Sequence, residues 1–157
     1  MTKKNNFPSI PVGEVPFPDL HDESGGYRPA VLVVDDESNI ADTLALILSR
    51  SGYSPTTAYD AESAIESALL TPPELLITDV VLPGMSGIDL AITVKRIFPE
   101  CKIILFSGQA ATADLLSAAR QDGHHFELLH KPLHPADLLA RITESFKHRR
   151  QPSGATV

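Results

Sequence analysis

Through the middle of the chain, short apolar runs alternate with longer stretches of helical period. Ala30-Val31-Leu32-Val33-Val34 is continuously apolar, as a strand covered on both faces must be. Ile40, Leu44, Ile47 and Leu48 then recur at the spacing of one helix face, and Gly52 supplies a stop. Tyr53 to Tyr59, rich in Thr and Tyr, predicts a second strand. Asp60 is placed to cap a helix carrying Ala61, Ala64, Ile65 and Ala68, which Pro72-Pro73 brings to an end. Leu75-Leu76-Ile77-Thr78 predicts a third strand. Ile88, Ala91, Ile92 and Val94 continue as a helix to about Phe98, with Pro99 marking its end. Lys102 to Phe106 predicts a fourth strand, and Leu115, Leu116, Ala118 and Ala119 a helix that stops before Gly123. Phe126 to His130 predicts a fifth strand, and Leu138, Leu139, Ile142 and Phe146 a last helix.

Strands separated by helices cannot pair as hairpins. The sheet is therefore expected to be parallel, with right-handed crossovers and helices on both faces. Five such units predict an α/β fold with a doubly wound five-stranded parallel sheet. Strand order 2-1-3-4-5 would set the first and third strands side by side at the switch point. The flanks differ. Pro8, Pro11, Pro16, Pro18 and Gly25-Gly26 interrupt any period, so residues 1–28 read as a flexible tail. Phe7, Ile10, Val12, Val15, Phe17 and Leu20 still give that tail something to pack with. The folded domain is expected over residues 29–148, with residues 149–157 as a short second tail.

The polar residues that follow the strands carry the chemistry. Asp35, Asp36 and Glu37 follow the first, Asp79 the third, Ser107-Gly108 the fourth and Lys131-Pro132 the fifth. In an open parallel sheet these carboxyl ends form the rim where sites lie. Asp35, Asp36 and Asp79 would converge there and repel one another unless a cation neutralised them. A few oxygen ligands with room for water and phosphate suit Mg²⁺. A carboxylate beside Mg²⁺ can attack a phosphoryl group, and the Lys131 ammonium and Ser107 hydroxyl can receive the developing charge. Taken singly, each piece has an ordinary reading: a helix cap, a turn residue, a Ser-Gly turn, a surface lysine. Their joint placement on four strand ends is what points to phosphoryl acceptance.

Composition narrows the field. The chain has 157 residues, enough for one domain, with 43% hydrophobic and 21% charged residues. A net charge of −7 disfavours a nucleic-acid surface, which needs a basic patch. The one cysteine, Cys101, reads as a buried inert thiol. No apolar run approaches the roughly 20 residues that span a bilayer, and the N-terminus lacks the apolar stretch of a secretory signal, so no membrane role and a cytoplasmic location are expected. His124, His125, His130 and His134 crowd one region and read as loop and helix-end residues rather than a metal cluster.

Residues from about Ala30 to His148 resemble the CheY-like receiver domain of two-component response regulators. The resemblance rests on Val33-Val34-Asp35-Asp36-Glu37, on Thr78-Asp79-Val80-Val81-Leu82-Pro83-Gly84-Met85-Ser86-Gly87, on Phe106-Ser107-Gly108 and on Lys131-Pro132-Leu133. It implies that Asp79 accepts a phosphoryl group from a histidine kinase or histidine phosphotransfer protein, or from a small phosphodonor. It implies Mg²⁺ held by Asp36, Asp79 and the Val81 main-chain carbonyl, with Asp35 acting through water. It also implies a cis Lys131–Pro132 bond. Receivers carry Tyr or Phe three residues before the lysine, whereas this chain has Leu128. Phe126 lies on the same strand face, roughly 7 Å further back. The expected output is a contact with a downstream protein, a relay to another phosphotransfer protein or a sink for phosphoryl groups, because the residues after the last helix are too few for an effector. Leu115, Leu116, Leu133, Leu138 and Leu139 lie on the family's contact face, are expected to be mostly core, and a homodimer there is compatible with the sequence. Two alternatives differ in class. A haloacid-dehalogenase-type phosphatase would put its nucleophile on the first strand with a second Asp two residues on, where this chain has Glu37. A degenerate receiver would bind a partner without phosphorylation.

Overall fold

The computed structural model describes residues 26–108 and 112–150. In chain order the elements are β1 (Ala30–Val34), α1 (Ser38–Arg50), β2 (Ser54–Ala58), α2 (Ala61–Leu70), β3 (Leu75–Asp79), α3 (Gly87–Ile97), β4 (Lys102–Ser107), α4 (Thr112–Gln121), β5 (Glu127–His130) and α5 (Pro135–Arg150). The strands form one five-stranded sheet in the order β2-β1-β3-β4-β5, and every pairing is parallel. This is the doubly wound topology expected from the alternating pattern.

Every residue of β1 and β3 is buried, which explains their unbroken apolar runs: neither strand has a solvent face. Alternate residues feed two cores. On one face Leu32, Val34, Leu76 and Leu105 meet α2, α3 and α4. On the other, Val31, Val33, Ile77, Ile104 and Phe106 meet α1 and α5 through Leu44, Leu48, Leu138 and Ile142. The α2 side is built on Ala61, Ala64 and Ala68, small residues that let the helix lie close to the sheet.

Local signals set the boundaries. The Asp60 carboxylate accepts the Ser63 N–H at 2.7 Å, capping α2 as expected. Ser86 Oγ accepts the Asp89 N–H at 3.1 Å and caps α3. Gly52 turns the chain after α1 at φ 97°, a conformation costly for any residue with a Cβ. Tyr53, Tyr59 and Phe126, predicted as strand ends, fall just outside β2 and β5. The Tyr53 N–H is taken by the Leu48 carbonyl at the end of α1, and Phe126 instead stacks on His124 at 5.9 Å. Cys101 is buried.

Both domain edges extend slightly beyond their predicted positions. Arg28, assigned to the tail by its sequence, donates to the Tyr53 carbonyl at 2.7 Å and to the Ser49 carbonyl at the end of α1. Helix α5 runs on to Arg150. The rest of both predicted tails lies outside the described residues. Among the described residues, no helix is long and apolar enough to cross a membrane.

Candidate functional site

Parallel pairing of β1 with β3 brings Val34 level with Thr78, so the residues that follow, Asp35 and Asp79, emerge together. One carboxylate oxygen from each of Asp35, Asp36 and Asp79 falls within a set no wider than 4.8 Å. Asp35 is fully buried, Asp79 is 7% exposed and Asp36 faces solvent. Asp35 Oδ1 accepts the Glu37 N–H at 2.9 Å, so this aspartate orders the loop and leaves α1 without a side-chain cap. Asp79 Oδ1 accepts the Val81 N–H at 3.1 Å. The remaining oxygens share one cation: Lys131 Nζ lies 2.8 Å from Asp79 Oδ2 and 3.4 Å from Asp35 Oδ2.

The loop after Asp79 is fixed from behind. Thr78 Oγ1 donates to the Asp79 carbonyl at 3.0 Å, and the Gly87 N–H donates to the Val80 carbonyl at 2.7 Å. A Cβ on Gly87 would sit 1.8 Å from the Asp79 carbonyl oxygen, so only glycine fits where α3 begins. Gly84 turns the loop at φ 80°. Val81 is 45% exposed, its N–H committed to Asp79.

Ser107 and Lys131 arrive from the other half of the sheet. Ser107 is buried, ends β4 and pairs in register with His130. The Lys131 N–H donates to the Ser107 carbonyl at 3.0 Å, tying the two residues at the backbone. Lys131–Pro132 is cis. Gly108 lies beside the lysine stem, where a Cβ would make ordinary van der Waals contact with Lys131 Cβ at 3.6 Å. Phe126 and Leu128 pack against the α2–α3–α4 core, while Leu129 faces the other. The two side chains thus share a face, and Leu128 occupies the place where an aromatic was expected.

Burial raises the Asp35 carboxyl above the ordinary range of an aspartate; the Glu37 N–H and the Lys131 charge oppose this, and the Asp79 charge adds to it. For Lys131 burial pulls the ammonium down, but the Asp79 hydrogen bond and charge, with those of Asp35, outweigh it and the net shift is upward. Three carboxylates against one ammonium leave the pocket anionic. The donors are all hard oxygens, one of them solvent-facing, which fits a small divalent cation such as Mg²⁺. Among the described residues this is the only clustered set of potential metal ligands, and the histidines form none.

The sequence pointed to the acids, the serine and the lysine. It did not single out Thr78, the Val81 N–H or Phe106, whose contributions depend on backbone direction and on which face of β4 a side chain leaves. Leu116 and Leu138 are core and Leu115 is 45% exposed, which divides the leucines expected on the contact face.

A doubly wound five-stranded parallel sheet with an acidic rim and a lysine from the last strand defines a CheY-like phosphoacceptor domain. Residues 31–143 match the family model of the response regulator receiver domain, and the chain belongs to that family. It is 34% identical over 116 residues to the nitrogen assimilation regulatory protein NtrX of Azorhizobium caulinodans, covering 73% of this chain and 25% of that protein. It is 31% identical over 117 residues to the probable transcriptional regulatory protein TcrX of Mycobacterium tuberculosis, covering 74% and 49%. A CheY-like receiver domain protein from Methanospirillum hungatei superimposes with a TM-score of 0.72 at 27% identity, covering 79% of this chain and 98% of that one. The chain thus spans between a quarter and a half of the length of these curated relatives.

Proposed function

We propose that the protein is a response-regulator receiver in which Asp79 accepts a phosphoryl group from a phosphohistidine donor or a small phosphodonor. The observation that carries this reading is the Lys131 ammonium bridging Asp79 and Asp35 at the edge of the three-carboxylate cluster. An Asp79 carboxylate oxygen attacks phosphorus and forms the acyl phosphate. The P–N bond of the donor breaks, and its electron pair leaves with the imidazole nitrogen, which takes up a proton. Lys131 stays protonated and passes a hydrogen bond from the Asp79 carboxylate to a phosphoryl oxygen. The Ser107 hydroxyl and the Gly108 N–H are the further donors for that charge.

Asp36, Asp79 and the Val81 main-chain carbonyl would hold Mg²⁺, with Asp35 acting through water. When bound, the ion neutralises the carboxylates and the incoming phosphoryl oxygens. The unit that does this is the domain expected over residues 29–148, whose edge Arg28 pins to α1 through the Ser49 carbonyl and whose last helix runs on to Arg150. A histidine kinase or histidine phosphotransfer protein supplies the phosphoryl group, and a downstream protein reads the result. With Leu128 in the aromatic's place, the report runs through Ser107, α4 and β5. Amide shifts in α4 and β5 that stay silent on adding beryllofluoride would exclude that route.

Intact mass after incubation with acetyl phosphate and Mg²⁺ tests the central claim. One added phosphoryl group on wild type and none on Asp79→Asn is expected. No adduct on wild type favours the degenerate, phosphorylation-independent receiver.

A further inference from the structure

Phe106 stands directly beside the phosphoacceptor. The β3–β4 register sets it opposite Asp79, and the Val80 N–H donates to its carbonyl at 3.0 Å. Its ring is fully buried in the core against α1 and α5. Lys131 Nζ lies 5.1 Å from the ring centroid, close enough for an ammonium to be attracted by the ring's electron-rich face. The same nitrogen contacts Asp79 at 2.8 Å and Asp35 at 3.4 Å. Lys131 thus has two anionic partners and one aromatic partner.

These partners behave differently during phosphoryl transfer. Esterification takes the charge from the Asp79 carboxylate and moves it onto the phosphoryl group, so the ammonium must release one acceptor and take another. The ring has no hydrogen bond to exchange and stays where the core holds it. It can fix the lysine's position while its hydrogen bonds change hands. A buried aliphatic side chain would fill the same core volume without attracting the cation.

We propose that Phe106 is a positioning residue for Lys131, holding the ammonium by a cation–π contact through the exchange of its acceptor. The proposal rests on the phosphoacceptor reading of Asp79. It extends that reading by assigning a role to a core residue that touches neither phosphate nor metal.

The test begins on the unmutated protein. Ring-current shielding should displace the Lys131 ε-methylene protons upfield of the other lysines, and Phe106→Leu should abolish the displacement. Ordinary ε-proton shifts in the wild type overturn the proposal whether or not any variant folds. The kinetic arm is a four-way comparison of wild type, Phe106→Leu, Lys131→Met and the double variant, labelled by acetyl phosphate with Mg²⁺. With the lysine present, Phe106→Leu should slow labelling about fivefold, the scale of one such contact. With methionine at position 131 the ring has no cation to hold, and the same substitution should change nothing. Equal losses in both backgrounds, or no loss in either, overturn the proposal. Ile104→Ala, a truncation in the same core cluster two residues back along β4, should keep the wild-type rate. A wild type that labels normally while Phe106→Leu matches it sinks only this inference; a wild type that never labels sinks the phosphoacceptor reading.

Discussion

The two halves of the site are built on very different ground. Asp35 and Asp79 project from β1 and β3, central strands with every residue buried. Lys131 follows β5, an edge strand in which no residue is fully buried. The carboxylates are further held by the Glu37 and Val81 N–H groups, whereas the lysine reaches them on a long flexible stem that is 24% exposed. The difference teaches a division of labour. The carboxylates are fixed by the core, and the ammonium that pairs with them sits at an edge where movement is cheap.

If the acidic half is rigid because its backbone is over-determined, the largest effect should come from its tightest contact. Gly87→Ala puts a Cβ 1.8 Å from the Asp79 carbonyl oxygen, an overlap with backbone that no rotamer relieves. The expected loss is about 4 kcal/mol or more, together with phosphoryl labelling. Urea denaturation and intact mass on the same sample read both. A variant that keeps wild-type stability would mean the loop is looser than this packing requires.

Paired truncations compare the two halves directly. Ile77→Ala in β3 removes a fully buried side chain and should cost about 3 kcal/mol. Leu128→Ala in β5 removes one that is only partly buried and should cost about 1 to 2 kcal/mol. The urea midpoints of the two variants measure the gap. Equal costs would show that the edge strand is as firmly set as the centre.

The contrast also separates what could be read in the sequence from what could not. Central strands have no solvent side, so the runs Ala30–Val34 and Leu75–Thr78 are unbroken and their polar successors are conspicuous. The order β2-β1-β3-β4-β5, expected for a doubly wound sheet of this kind, makes β1 and β3 neighbours and brings Asp35, Asp36 and Asp79 together. The edge is less legible. Phe126 looked like part of the fifth strand, yet the strand starts at Glu127 and the ring stacks on His124. Arg28 looked like tail, because a guanidinium that caps carbonyls at the end of a helix more than 20 residues away leaves no local signal. Phe106 reads in the sequence as the end of the fourth strand and as part of the Phe106-Ser107-Gly108 stretch, with no role toward Lys131. Its place beneath Lys131 depends on the face by which it leaves β4, a consequence of assembled register rather than of local pattern.

The smallest effect should run in the opposite direction. Asp35 is buried with its carboxyl raised above the 3.8 of an unfolded aspartate. Between 3.8 and the raised value, the folded protein retains a proton that the unfolded chain has lost, so this group's contribution to stability falls as pH rises through that window. Above the window the folded state carries the full cost of a buried charge beside the Asp79 carboxylate. Asp35→Asn keeps an oxygen for the Glu37 N–H and removes that charge, while Lys131 retains Asp79 at 2.8 Å. At pH 7 without Mg²⁺ the variant should therefore be the more stable by about 1 kcal/mol, or about 4 °C in Tm. The gain should shrink as pH falls through the window and vanish near 3.8. Thermal melts of both proteins across that range measure it. A variant less stable than wild type at pH 7 would show that Asp35 is held by Lys131 more strongly than burial penalises it, and the acidic half of the site would then owe its rigidity to the lysine it was contrasted with.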